Sequence, residues 1–380
     1  MQFRYLVQWG VLVAFFGLAS NGKSQIAISN GAYQTHANGG FNNSARSELQ
    51  ASVLLLNTFG FGCQKVNNNR LADNFVVPAG ARLRIQGLEI YAYQTSATVN
   101  TINECNFRIW NGAPNAGGSV IAGDPITNRF LSGTSTSVYR TDDLVGGATG
   151  SLRLIMAVRA NLIVSQVLNS GTYWADWQMA GTLASGPWNV PVTILGLTGK
   201  PGANGLQFID GAWQAAVDES SFPQDLAYGV TGSWLMNPLA VTTLEGTFFG
   251  GNLASLGASD NDRYTVIMDE FSPNSNVEFQ TTCPSNTASR IDYTTEIRAT
   301  RTDLSQFIGL FNGTTWETVD ASNSSISDIT RSVSILTNPQ RFMLAGNILR
   351  SRLITIPQTD IDSGDGWTSS IDFVQWEVTP

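Results

Sequence analysis

Apolar and polar residues alternate with a period of two along most of this chain, and helical periodicity is nearly absent. Across residues 291–299 one face collects Ile291, Tyr293, Thr295, Ile297 and Ala299, while Asp292, Thr294, Glu296 and Arg298 share the other. Such alternation predicts a strand with one face in a core and one in water. Leu83 and Ile85 alternate with Arg82, Arg84 and Gln86, and after Gly87 the phase changes so that Leu88, Ile90 and Ala92 are apolar. A glycine at a phase change predicts a β-bulge. Further strands are expected at 75–77, 172–178, 191–195, 348–354 and 374–378. Turn chemistry separates them at Asn111-Gly112, Gly146-Gly147, Ser170-Gly171 and Lys200-Pro201-Gly202. Short strands at this spacing predict sandwiches or barrels.

The first series fades near 228–232 and a second begins near 247–249. The reading is therefore all-β: two β-sandwich, jelly-roll-like domains in tandem, over 51–235 and 236–380. A Gly-, Asn- and Ser-rich stretch at 25–50, with Gly39-Gly40 and Asn42-Asn43-Ser44, reads as a flexible lead-in. Residues 1–24 have the order of a secretory signal peptide: Arg4 near the start, an apolar run from Val11 to Ala19, then small and polar residues. That run is shorter than the about 20 apolar residues a spanning helix needs. The mature protein is thus expected to be secreted, extracellular and not membrane-spanning.

Composition agrees. The chain has 380 residues, of which 13% are charged and 37 are Gly. Thr, Ser and Asn cover the surface where a helical protein would use Glu and Lys. The net charge of −8 argues against nucleic acid as a partner, because phosphate binding needs Lys and Arg. There are three cysteines. Cys63 and Cys105 fall in the same domain and are the candidate pair for a disulfide, while the favoured reading is a buried thiol acting as a small hydrophobe.

The stretch Gly60-Phe61-Gly62 followed by Asn69-Arg70-Leu71-Ala72-Asp73-Asn74-Phe75-Val76-Val77-Pro78-Ala79-Gly80 resembles the opening of a module common in secreted bacterial proteins. The likeness continues in Ile90-Tyr91-Ala92-Tyr93-Gln94-Thr95, Arg108-Ile109-Trp110-Asn111-Gly112, Gly171-Thr172-Tyr173-Trp174-Ala175-Asp176-Trp177 and Ser185-Gly186-Pro187-Trp188. The second half is similar to another such module, from Gly251-Asn252-Leu253-Ala254-Ser255-Leu256 and Ser259-Asp260-Asn261-Asp262-Arg263-Tyr264 to Ile371-Asp372-Phe373-Val374-Gln375-Trp376-Glu377-Val378-Thr379-Pro380. The resemblance implies tandem β-sandwiches and brings no activity with it.

Exclusion says most about chemistry. The single histidine, His36, lies in the lead-in, so triads, Cys-His pairs and zinc-protease sites lack their usual base or ligands. No phosphate loop or nucleophile elbow stands out. Paired carboxylates are present at Asp142-Asp143, Asp218-Glu219 and Asp269-Glu270, with Asp372 besides, but none sits in a recognisable motif. The chain is therefore not expected to be an enzyme; a glycan-active one ranks third. Asp360, Asp362 and Asp365 are spaced with glycines as Ca²⁺ ligands can be, the only cofactor the sequence raises. Asp260-Asn261-Asp262 is a second acidic turn. Ten Trp form the other feature. Trp174 and Trp177 differ by an odd number and face opposite ways on a regular strand. Trp376, alternating with Val374 and Val378, belongs to a core. Trp110, Trp188, Trp213, Trp316 and Trp367 sit beside turn residues. Trp110, Trp174, Trp188 and Trp213 are the candidates for stacking on a sugar. Two readings result. The first is a non-catalytic extracellular structural or interaction protein meeting a cell-surface or matrix protein. The alternative is a carbohydrate-binding module for an extracellular polysaccharide, with Ca²⁺ as its candidate ion.

Overall fold

The computed structural model describes residues 26–144, 147–268, 273–358 and 366–380; the expected signal segment, 1–24, lies outside them. The chain is all-β. Among the described residues one sheet has 13 strands, and sheets of six and five strands pack on it. The six-stranded sheet holds, in order, Ala212–Ala215, Leu206–Ile209, Arg70–Val77, Gly171–Gly181, Ile102–Trp110 and Val120–Asp124. It closes the first sandwich against Arg82–Tyr93, Leu154–Leu168 and Tyr228–Met236. Their inward residues, Leu71, Phe107, Trp177, Ile85, Val158 and Tyr228 among them, form one core. The five-stranded sheet, with Ser275–Thr282, Ile348–Pro357 and Leu304–Phe311 at its centre, closes the second against Arg290–Ala299 and Trp367–Thr379. There the Ser351 hydroxyl donates to the Tyr293 hydroxyl at 3.1 Å.

Alternation in the sequence becomes burial in the fold. Along Arg290–Ala299, every second residue from Ile291 onward is buried. Trp376 is in the core, as its spacing predicts. Trp177 packs at 5.0 Å from Tyr228 inside the first sandwich, while Trp174 lies on the opposite face of its strand. The bulge expected at Gly87 is present. The register of Arg82–Tyr93 slips between Ile85 and Gly87 against one neighbour and opposite Thr231 and Gly232 against the other. Glycine is required there, because a Cβ would stand 2.1 Å from the Ala160 carbonyl oxygen.

Three expectations need correction. The pattern that fades near 228–232 is a central strand, Tyr228–Met236, with all nine residues buried. Burial on both faces removes the alternation by which strands are read. Residues 191–195 are not a strand; Pro191 makes only an isolated bridge with Leu226. The lead-in at 25–50 is built into the fold. Ile26–Ser29 pairs with Tyr228–Met236, and Ala45–Leu49 pairs in parallel with Phe130–Asp142. Buried Arg140 ties this region down by donating to the Phe59 and Thr58 carbonyls and to the Ser47 and Thr193 hydroxyls. Glycine and asparagine content signals poor strand propensity, but partner strands override it.

Gly87→Ala should cost about 1–3 kcal/mol by overpacking the bulge. Gly250→Ala, where an added Cβ meets nothing within 4 Å, should change stability by less than about 0.5 kcal/mol. Urea denaturation of the two variants checks both.

Candidate functional site

The four tryptophans singled out in the sequence fall in two places. Trp110 and Trp174 sit opposite each other on neighbouring strands, on the outward face of the six-stranded sheet. Trp213 reaches the same face from the edge hairpin, and with Ala72, Leu206 and Ala113 they make a small apolar cluster outside the main core. Trp174 is its centre and only 7% exposed, so its ring is no open platform. Trp110 and Trp213 are half-buried at its borders. Period two brings charge to the same face. Asp176 lies directly across from Arg108 and is fully buried. Its carboxylate accepts from Arg108 Nε at 2.9 Å, from Trp110 Nε1 at 2.5 Å and from Arg70 Nη2. The Arg108 guanidinium also lies 4.7 Å from the Trp110 ring.

Trp188 is elsewhere. The short strand Trp188–Asn189 pairs with Phe61–Gly62 on one side and with Arg82–Tyr93 on the other, at one end of the first sandwich. It lines a cleft of about 390 Å³ together with Gln64, Asn67, Asn69, Ser185 and Gln207. No lining residue is charged. Hydrogen bonds fix the walls: Gln64 Nε2 donates to the Pro187 carbonyl at 3.1 Å and Gln64 Oε1 accepts from Asn69 at 2.9 Å. Gln207 Nε2 donates to the Gly62 carbonyl at 3.1 Å, and the Trp188 indole donates to the Ser185 hydroxyl at 3.2 Å. Gly186, at φ +95°, allows the indole to lie close: a Cβ there would stand 2.7 Å from it. Among the described residues, one indole surface, the Asn67 amide and the side-chain carbonyls of Asn69 and Gln207 have no partner in the cleft. Sequence reasoning missed these amides because they come from segments far apart in the chain; the run Asn67-Asn68-Asn69 was their one local trace.

Among the described residues the paired acids do not converge on a cleft. Asp142 and Asp143 accept backbone N–H groups of Leu144 and Ser52, Asp218 those of Asn57 and Thr58, and Asp372 that of Asn261. Asp269 and Glu270 lie outside the described residues, as do Asp360, Asp362 and Asp365. In the turn at 260–262, Asp260 accepts the Asp262 N–H and Asp262 accepts from Ser255, local bonds rather than a metal cage. Trp367, which sits beside a glycine in the sequence, is buried at the start of its strand, and Trp316 is half-buried. Cys63 and Cys105 are buried free thiols rather than a disulfide. The strand carrying Met179 runs between their main chains, with Met179 opposite Cys105 and bonded to the Cys63 carbonyl. Burial pushes Cys105 up to about 12 and raises Cys63 too, with Cys105 adding to the latter. Such thiols are unreactive.

Two carboxylates do meet, in the interior. Burial, and then the charge of Asp225, push Asp73 up to about 7. Its oxygens accept from the Asn30 amide and from the N–H groups of Leu226 and Asn74, and Lys200 pairs with Asp225 at 2.8 Å. Asp73 is fully buried, so no substrate reaches the pair, and its work is to anchor the segment after Ile26–Ser29.

No family model matches the chain, and no curated protein does. Among solved structures, a CBM61 module in complex with beta-1,4-galactotriose is 9% identical, with a TM-score of 0.23 over 38% of this chain and 86% of that one. A family 29 carbohydrate-binding module from Piromyces equi is 11% identical, with a TM-score of 0.21 over 37% and 92%. A putative secreted protein from Parabacteroides distasonis is 8% identical, with a TM-score of 0.20 over 81% of each chain. Likeness at this level carries no functional argument.

The Asp73 pair makes stability depend on pH with a definite sign. Between the ordinary carboxylate value of 3.8 and about 7, the folded state holds a proton that the unfolded chain has released. Stability therefore falls as pH rises through that window. The melting temperature of the protein should drop between about pH 5 and pH 7, inside that window, and Asp73→Asn should flatten the slope while lowering stability overall. An equally steep slope in the variant would refute the assignment.

Proposed function

We propose that the chain is a secreted, non-catalytic glycan-binding protein of the tandem bacterial type it resembles, and that the Trp188 cleft receives a neutral sugar. The observation that carries this reading is the composition of the cleft. A sugar presents hydroxyls around its rim and C–H groups on its faces. An indole matches the faces, while amides, which both donate and accept, match the hydroxyls. The volume of about 390 Å³ falls within the range of small-ligand sites. Fixed walls favour binding because little side-chain freedom is lost. Calcium at Asp360, Asp362 and Asp365 belongs to the same proposal.

A structural or interaction role has one observation of its own. Among the described residues, Thr247–Gly250 pairs on one side only, with Tyr264–Met268, and exposes Phe248 and Phe249. An open edge with apolar side chains is a template for pairing with another chain. Binding to a panel of neutral polysaccharides decides between the two.

Trp188→Ala should weaken binding of a neutral glycan at least about tenfold, about 1.4 kcal/mol, and Gln207→Ala by a few-fold. Because the lining is uncharged, affinity should be flat between pH 5 and pH 8 (about a thousandfold range of proton activity) and insensitive to salt. Isothermal titration checks all of these. Full affinity in both variants, or no binding by the parent protein across the panel, would defeat the reading and leave the edge strand as the functional surface.

A further inference from the structure

The outward face of the six-stranded sheet has an imbalance of charge. Arg70 and Arg108 flank a single carboxylate, Asp176, which is already filled by both of them and by the Trp110 indole. The trio therefore carries one positive charge in excess. Arg70 is nine-tenths or more buried, and its Nε has no hydrogen-bond partner. Arg108 bonds only through Nε, so its two Nη groups are open to a ligand among the described residues. Asp176 is the only carboxylate bonded to either guanidinium among the described residues. Burial, and then the like charge of Arg108, pull Arg70 down to about 9. A buried positive charge without full compensation is costly, and a bound anion removes that cost.

Aromatic side chains border the trio on both sides. Trp110 lies beneath Arg108, and Phe208 is the cross-strand neighbour of Arg70, with Trp213 5.3 Å from it. All three rings are half-buried, each with some surface in solvent. The loop at 125–127 covers the next row, where Gln178 and Asn106 donate to the Pro125 and Thr127 carbonyls. What stays accessible is a planar cation beside aromatic surface. Guanidinium forks suit carboxylate and sulfate oxygens.

We propose that this face is a second glycan site, specific for an acidic sugar whose carboxylate or sulfate is taken by the Arg108 Nη groups, with the buried Arg70 adding its charge behind them, while its ring rests against Trp110. The ligand class rests on the glycan-binding reading; the site itself is independent of the Trp188 cleft.

Titration of the full mature chain with polygalacturonate, chondroitin sulfate and a neutral galactan tests it. Binding to either acidic polymer is expected, weakened by salt, unchanged in Trp188→Ala and reduced about tenfold or more in Arg108→Gln. Polygalacturonate alone would identify the anion as a carboxylate, and chondroitin sulfate alone as a sulfate. Arg108→Lys keeps a charge beside Asp176 and so guards against unfolding; it should still bind several-fold more weakly, because the planar fork is lost. Equal affinity in both Arg108 variants overturns the proposal, as does failure of the parent protein to bind either acidic polymer. Neutral binding that survives in the Arg108 variants and is lost in Trp188→Ala would leave the cleft reading standing by itself.

Discussion

Everything in this molecule is hung on the strand Tyr228–Met236. One of its edges is taken by Arg82–Tyr93. The other is divided between the first and the last described strands: Ile26–Ser29 pairs at Gly229–Thr231, and Trp367–Thr379 pairs at Trp234–Met236. A single sheet thereby passes from one sandwich into the other, and both cores close on it. Side chains reinforce the junction. Arg84 pairs with Glu377 at 2.9 Å, and Asn237 donates to the Val374 carbonyl at 2.8 Å while accepting from Arg82 at 2.9 Å. Because a strand in mid-sheet must bond on both edges, removing either terminal strand would leave buried N–H and C=O groups without partners.

Both proposed sites follow from that scaffold. The core fixes which residues of the six-stranded sheet point inward, and period two then dictates that Arg70, Arg108, Trp110, Trp174 and Asp176 share the outer face. The Trp188 cleft lies at the end of the same sandwich, where short pairings hold the loops around 62–69 and 184–188. The two sites differ in electrostatic character. The cleft has no charged lining and is proposed to read hydroxyls, while the face carries excess positive charge and is proposed to read an anion. On a protein with net charge −8, a local cationic site is a selective feature, because the overall field does not assist acidic polymers.

Much of the fold was legible because local alternation and tertiary burial agree. Residues 291–299, the bulge at Gly87 and the opposite orientations of Trp174 and Trp177 were all readable for that reason. Signals failed where burial is two-sided, as in Tyr228–Met236, or where a partner strand orders a segment of poor propensity, as in Ala45–Leu49. Trp367 shows the limit of reading exposure from sequence neighbours: it stands beside Gly366, yet its place at the head of Trp367–Thr379 turns it inward. Shared domain membership likewise could not tell whether Cys63 and Cys105 are bonded. Site composition was the least legible property. Trp188 could be named from its surroundings, but Gln64, Asn69 and Gln207 meet it only through the sheet register.

The central claim is that a neutral sugar sits against Trp188. Indole N–H resonances in a nitrogen-15 correlation spectrum test it directly during titration with a neutral oligosaccharide. The account predicts that the Trp188 signal moves with the ligand while those of the buried Trp177, Trp234, Trp367 and Trp376 stay in place. A bound neutral sugar that leaves the Trp188 signal unmoved would contradict it.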